Sequence, residues 1–292
     1  MKGIILAGGT GSRLFPATFA VSKQLIPVYD KPMVYYPLSV LMLAGIRDIA
    51  LISTPRDLPA FKALFGDGRE LGLNFTYIEQ PQPKGIAQAF ILAQDFIAGD
   101  NVALILGDNI FYGSGLEDML LRAAALEEGA EIFASRVVNP AAYGVIGFDD
   151  KGKPTKITEK PSKPASPWAV TGLYFYDGLV SEIARGLKFS ARGELEITDI
   201  NNAYLEKGLM RVNFMERGIA WLDTGTHEDL IKASTFIESI EARQGIKTAC
   251  LEAIAFEKGW IDRAALLKRA EGMKGTPYGD YLLSCDAEGL WK

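Results

Sequence analysis

The chain has 292 residues, 48% of them hydrophobic and 23% charged, enough for one large α/β core with a smaller appendage. Its net charge of −5 gives no overall attraction to nucleic acid or an anionic membrane, so phosphate binding has to come from locally placed groups. No apolar run approaches the roughly 18 residues of a membrane span, and two cysteines, Cys250 and Cys285, are too few for a disulfide framework, so a cytoplasmic protein with reduced thiols is expected.

The chain opens on a short apolar run, residues 3–7, that ends in glycines; this predicts a buried first strand rather than a signal peptide. Asp30 is placed to cap a helix from Lys31, with Pro32 in its first turn and Gly45 as its stop. Asp48–Ser53 reads as a second strand, 57–65 as a short helix and Asn74–Glu79 as a third strand. Ile86, Phe90, Ala93 and Ile97 recur at helical spacing, and Val102–Leu106 is another apolar strand, ending at Gly107-Asp108-Asn109. This alternation predicts a mostly parallel, Rossmann-like sheet flanked by helices. Beyond Gly129 strands predominate, at 131–137, 145–148, 155–158 and 169–176, with a proline- and lysine-rich surface loop at 160–167. A helix over 198–207, a strand over 210–216 and a helix over 228–243 follow. One core domain over 1–244 and a helical extension over 245–292, with Trp260, Tyr278, Tyr281 and Trp291, is the simplest organisation.

Three glycines in four positions, Gly8, Gly9 and Gly11, follow the first strand and let backbone N–H groups come close to an anion. Arg13 adds a charged fork that suits phosphate oxygens. No Gly-Lys-Ser/Thr follows, which excludes a Walker A loop. Arg13 stands where a dinucleotide fingerprint needs its third glycine, and Ser53-Thr54 ends the second strand where that fingerprint needs an acid. Gln80 offers both a donor and an acceptor to a base edge, and Gly85 permits close backbone approach. Asp108 and Asp223 each follow an apolar run, and carboxylates at strand ends of an α/β sheet project into the ligand crevice. Each alone also suits a helix cap or turn. As a pair beside a phosphate loop they fit Mg²⁺, which takes one or two carboxylates and completes its shell with water and phosphate oxygens.

Gly8-Gly9-Thr10-Gly11-Ser12-Arg13-Leu14, Pro16, Thr18, Ser22-Lys23-Gln24-Leu25-Ile26-Pro27 and Asp30-Lys31-Pro32-Met33 together resemble the nucleotidyltransferases that make sugar nucleotides. Glu79-Gln80 through Gly85-Ile86-Ala87-Gln88-Ala89 is similar to the thymidylyltransferase members. The resemblance implies a triphosphate cradled by Gly8, Gly9, Gly11, Arg13, Lys23 and Gln24, with thymine at Gln80 and Gly85. Tyr143-Gly144-Val145, Glu159-Lys160-Pro161, Val170 and Gly193-Glu194 resemble the sugar-phosphate side. There Asn109, Tyr143, Gly144, Glu159, Val170 and Glu194 are implied around the sugar, and Lys160 on its phosphate. Mg²⁺ is implied between Asp108 and Asp223. The implied reaction joins glucose 1-phosphate to the α-phosphorus of dTTP, with Arg13, Lys23, Lys160 and Asp108 as the catalytic set. A homotetramer inhibited by dTDP-rhamnose is implied as well. His227, the single histidine, reads as a helix-start residue rather than an acid or base. Use of another base such as uracil, a non-catalytic sugar-nucleotide binder, and a nicotinamide oxidoreductase are the competing readings; the glycine spacing disfavours the last.

Overall fold

Runs of Ile, Val and Leu dictate the middle of the molecule, which is seen in a computed structural model that describes residues 1–288. Trp291 lies outside the described residues. The strands of the first half are β1 (Lys2–Leu6), β2 (Pro27–Val28), β3 (Lys31–Pro32), β4 (Asp48–Ser53), β5 (Asn74–Glu79), β6 (Val102–Leu106) and β7 (Asn109–Tyr112). Those of the second are β8 (Ala130–Arg136), β9 (Gly144–Phe148), β10 (Pro154–Glu159), β11 (Trp168–Tyr176), β12 (Met210–Phe214) and β13 (Ala220–Asp223). The first helices are α1 (Tyr35–Leu43), α2 (Leu58–Phe65), α3 (Gln88–Leu92), α4 (Gln94–Ile97) and α5 (Leu116–Ala124). The later ones are α6 (Val180–Gly186), α7 (Ile197–Glu206), α8 (His227–Gln244), α9 (Leu251–Glu257), α10 (Arg263–Gly272) and α11 (Pro277–Ala287). No helix among the described residues is long and apolar enough to cross a membrane.

The main sheet runs β10-β9-β11-β6-β1-β4-β5, with β8 beside β11 and β12 beside β8. Strands β6, β1, β4 and β5 are mutually parallel. Of these, β6, β1 and β4 are apolar almost throughout because helices cover both faces. Gly3 lets α1 close down on β1: a Cβ there would lie 2.9 Å from the Leu41 side chain. From β11 outward the pairing with β6, β8 and β9 turns antiparallel, so the sheet is mixed. Its parallel part sends the chain ends after β1, β4 and β6 to one edge, and ligands of open α/β sheets bind at that edge.

The helix expected from Lys31 begins at Tyr35 instead, and Lys31–Pro32 pairs with Pro27–Val28 as a small antiparallel ladder. Asp30 does not cap the helix because its carboxylate is held by Lys31 and Lys247. The single helix expected over 86–97 is divided at Ala93 into α3 and α4. Helices α5 and α6 have no counterpart in the sequence reading.

The C-terminal helices are continuous with the core. Leu251, Ile254 and Ala255 of α9 pack with residues of α1 in the principal cluster, while Leu266, Ala270, Tyr278 and Leu282 form a satellite beside it. A buried ionic knot ties the end of α8 to the N-terminal half. Glu241 receives Lys31 at 2.9 Å, Lys247 at 2.8 Å, and both the backbone N–H and hydroxyl of Thr248.

Candidate active site

The loop after β1 has the left-handed turns its glycines make available, at Gly9 (φ 100°) and Gly11 (φ 60°). Gly11 is pinned by the Thr18 hydroxyl, which donates to its carbonyl at 2.8 Å. Arg13 sits in a short 3₁₀ turn and lies against Gly225, where an added Cβ would meet its guanidinium at 3.0 Å. Gly8, Gly9, Gly11, Arg13, Lys23, Gln24 and Asp108 line one small pocket. Gln24 is buried there, and its Oε1 accepts from the Ser22 hydroxyl at 2.7 Å.

Asp108 leaves the end of β6, and Asp223 ends β13 directly across the β7–β13 ladder, where it pairs with Asn109. Thr224 clamps the two segments by donating its N–H and its hydroxyl to the Asp108 carbonyl. The Asp108 carboxylate is ion-paired with Lys23 and accepts from Asn109 Nδ2 at 2.9 Å. Burial alone would raise its pKa; the Lys23 ammonium overrides that and holds it below the ordinary carboxylate value. The Asp223 carboxylate accepts no hydrogen bond among the described residues. Burial first, and the Asp108 charge second, push it up to about 6. A carboxylate with open lone pairs, held close to a second one, is a group that gains from a cation. No cluster of three or more metal-ligating side chains exists among the described residues. The donor set therefore suits a hard ion that takes most of its ligands from phosphate and water.

A second, larger cavity of about 790 Å³ opens beside the first, and Arg13 and Asp108 belong to both walls. Asn109, Tyr143, Gly144, Glu159, Lys160, Val170, Glu194 and Asp223 all line it. Glu159, the last residue of β10, is oriented by the Thr198 hydroxyl, which donates to its Oε2 at 2.6 Å. Helix α7 is fixed in place for this by Asn202, whose amide bonds both the N–H and the carbonyl of Ile157. A Cβ on Gly144 would press on Thr198 Oγ1 at 3.3 Å and Glu159 Oε2 at 3.4 Å. Lys160 has φ 41°, its N–H donates to the Tyr143 carbonyl, and its side chain is exposed at the cavity mouth. The amide of Asn109 is engaged as structure: its Oδ1 accepts from Gly172 N–H at 3.1 Å and from Trp221 Nε1 at 2.6 Å.

Neither Gln80 nor Gly85 is among the residues lining these two cavities; Gln80 lies against Gly8 and Gly85 against Leu195. Gln80 is buried, and a Cβ on Gly8 would lie 1.9 Å from its Oε1, so any side chain there would displace the Gln80 amide. Gly85 has φ 103° and lies flat against Leu195, whose backbone exchanges hydrogen bonds with Lys84 and Ala87. His227 is the first residue of α8 and exposed, with Nε2 3.4 Å from the Phe15 carbonyl.

The sequence reading passed over several wall residues. Arg192 reaches Glu159 at 3.5 Å, Glu194 at 3.0 Å and Glu196 at 3.3 Å, which adds a cation beside Lys160. Trp221 packs on the Tyr143 ring at 5.0 Å. Thr171 and Asn201 also line the cavity, and Thr171 Oγ1 and Asn201 Nδ2 are buried without a partner among the described residues. The signal for Arg192 was its place two residues before Glu194. Thr171 lies in the 168–174 stretch that resembles the sugar-phosphate side, directly after Val170, without being singled out; Asn201 carried no signal, since only the fold brings it to the cavity.

Comparison with known proteins shows the family. The nucleotidyl transferase family model matches residues 2–240. A glucose-1-phosphate thymidylyltransferase of Neisseria meningitidis is 55% identical over 283 residues, 97% of this chain and 98% of the relative. The enzyme of that name from Mycobacterium tuberculosis has the same identity and coverage. Among solved structures, a Bacillus anthracis protein assigned as a glucose-1-phosphate thymidylyltransferase and crystallised with sucrose is 43% identical. It superposes with a TM-score of 0.75, covering 81% of this chain and 94% of its own. A UDP-glucose pyrophosphorylase bound to UDP-glucose shares the fold at 24% identity, TM-score 0.70, over 82% of this chain and 98% of its own. The chain belongs to the nucleotidyl transferase family, and within it to the glucose-1-phosphate thymidylyltransferases.

Proposed function

We propose that the protein transfers a thymidylyl group from dTTP to α-D-glucose 1-phosphate, giving dTDP-glucose and pyrophosphate. The observation that carries this reading is the shared wall: Arg13 and Asp108 face both the glycine-loop pocket and the large cavity. A triphosphate in the first and a sugar phosphate in the second would meet at those two residues.

A phosphate oxygen of the sugar forms the new bond to the α-phosphorus, and the bond from that phosphorus to the pyrophosphate oxygen breaks opposite it. The nucleophile is already an anion, so no general base is needed. What the protein has to supply is alignment of two anions that repel each other, and positive charge as the transition state forms. The loop N–H groups and Arg13 hold the triphosphate; Lys160 and Arg192 hold the sugar phosphate; Lys23 supports the departing pyrophosphate. Glu159, set by Thr198, accepts from sugar hydroxyls. Asp108 and Asp223 would hold Mg²⁺, which when bound draws charge from the phosphate oxygens.

The same reading places the protein in the cytoplasm, acting on small molecules without nucleic acid or membrane. It includes a homotetramer with the 245–292 extension at a subunit contact, and feedback inhibition by dTDP-rhamnose from deoxysugar synthesis. The test is pyrophosphate release from glucose 1-phosphate and Mg²⁺ with dTTP, UTP, ATP, GTP and CTP in turn. Fastest release with dTTP, stopped by chelator, is the expected result. Fastest release with UTP would keep the chemistry and move the base assignment; no release from folded protein that binds dTTP would sink the catalytic reading.

A further inference from the structure

The Gln80 amide belongs to a hydrogen-bond chain whose polarity is fixed from one end. The Lys84 backbone N–H, which can only donate, donates to the Gln88 side chain at 2.8 Å. The Gln88 atom facing it must therefore be the oxygen. The same Oε1 receives the Gln80 amide at 2.9 Å, so the Gln80 atom on that side must be Nε2. Gln80 Oε1 is then turned toward Gly8, and the Gln80 backbone is anchored by its own N–H donating to the Ser53 carbonyl at 2.8 Å. An unrestrained glutamine amide can flip end for end and swap donor for acceptor; this one cannot without setting two carbonyl oxygens, its own Oε1 and Gln88 Oε1, face to face.

We infer that Gln88, which contacts neither phosphate pocket nor sugar cavity, is a positioning residue that sets which pyrimidine edge the site accepts. The inference rests on the reading of Gln80 as the group that meets the base. With Gln88 in place, Gln80 presents Oε1 as an acceptor and one remaining Nε2 hydrogen as a donor. That order matches the N3–H and an adjacent carbonyl oxygen of thymine or uracil. Cytosine held by the same sugar and phosphates puts its N3 lone pair against Oε1, and repulsion replaces a hydrogen bond. The preference for a keto pyrimidine is thus transmitted from the Lys84 N–H through Gln88 to Gln80.

The experiment compares kcat/KM for dTTP and dCTP, at saturating glucose 1-phosphate and Mg²⁺, in the wild type and four variants. Gln80→Ala tests the underlying reading and should collapse the dTTP:dCTP ratio. Gln88→Leu and Gln88→Met remove the acceptor at similar volume and free the Gln80 amide to flip. Each should lower the ratio by about tenfold or more, the scale of one misdirected hydrogen bond. The loss should appear mainly as a higher KM for dTTP and new turnover of dCTP, with kcat for dTTP little changed. Gln88→Glu keeps an acceptor and should restore the wild-type ratio. A ratio that collapses in Gln80→Ala but stays within about twofold in both Gln88→Leu and Gln88→Met would overturn the role of Gln88. A ratio unmoved by Gln80→Ala would overturn the base reading and the inference with it.

Discussion

Asp223→Asn should lower kcat on the order of 10³-fold, because one of two carboxylates placed for the metal is removed from the point where charge is transferred. The same change should make the metal-free protein more stable. In the wild type, Asp223 is a half-buried carboxylate without a hydrogen bond, facing the Asp108 charge, and is pushed up to about 6 as a result. An acid raised above its ordinary value of 3.8 opposes folding at neutral pH, here by roughly 1–3 kcal/mol. Thermal unfolding in chelator should therefore show Asp223→Asn melting a few degrees higher. Asp108→Asn is the contrast: activity should fall as far, but the melt should drop, because Lys23 loses its ion pair. Unchanged kcat in Asp223→Asn would remove the metal assignment. A lower melting temperature for it would show that its carboxylate is satisfied by something other than a bound cation.

Glu241→Leu should be the most destabilising of the changes considered, by about 3–5 kcal/mol, since it leaves buried ammonium groups without their shared partner. Lys31 and Glu241 have side chains only 2% and 3% exposed, so solvent cannot compensate. Removing the anion leaves Lys31 and Lys247 with Asp30 alone. Denaturant unfolding at neutral pH measures the loss, and a change below about 1 kcal/mol would mean that water reaches the knot. Lys247→Met added to Glu241→Leu should recover part of it by restoring neutrality. The pH dependence has a definite sign. Burial alone would raise Asp30, but Lys247 and Lys31 outweigh it and the folded value lies below 3.8. Its contribution is therefore complete above the unfolded value and is lost as pH falls through the folded one. Lys247 is the mirror case: burial would lower it, Asp30 and Glu241 raise it above 10.5, and its contribution disappears only as pH rises through that raised value. Unfolding measured against Asp30→Asn should show a gap that closes toward acid and stays level across neutral pH.

The parts of this molecule legible in the sequence are those in which local chemistry and tertiary structure agree. β1, β4 and β6 are apolar because they are covered on both faces, and the glycines and aspartates at their ends mark the crevice. Asp30 shows the opposite case. As a local signal it suits a helix cap worth about 1 kcal/mol, yet two lysines, one of them more than two hundred residues away, claim its carboxylate. Asn109 stood out beside Asp108, but nothing local says that its oxygen is taken by Gly172 and Trp221. Arg192 was hidden for a related reason: it lies in the loop before α7, and one of the carboxylates that hold it, Glu159, comes from the end of β10. Periodicity over 86–97 suggested one helix because the apolar face continues through Ala93, although the backbone turns there.

The contact at Gly85 bears on how such an enzyme can change. Lys84 and Ala87 are stitched to Leu195 by two backbone hydrogen bonds, and a Cβ on Gly85 between them would come within 2.3 Å of the Leu195 carbonyl oxygen. The segment that carries Gln88 therefore shares a seam with the one that carries Arg192 and Glu194. A new base preference grafted onto residues 80–88 would arrive with a mismatched edge unless residues 190–196 came with it. On the proposed base and sugar assignments the two segments would have to change together, and a side chain at Gly85 is the one substitution here that would force their main chains apart.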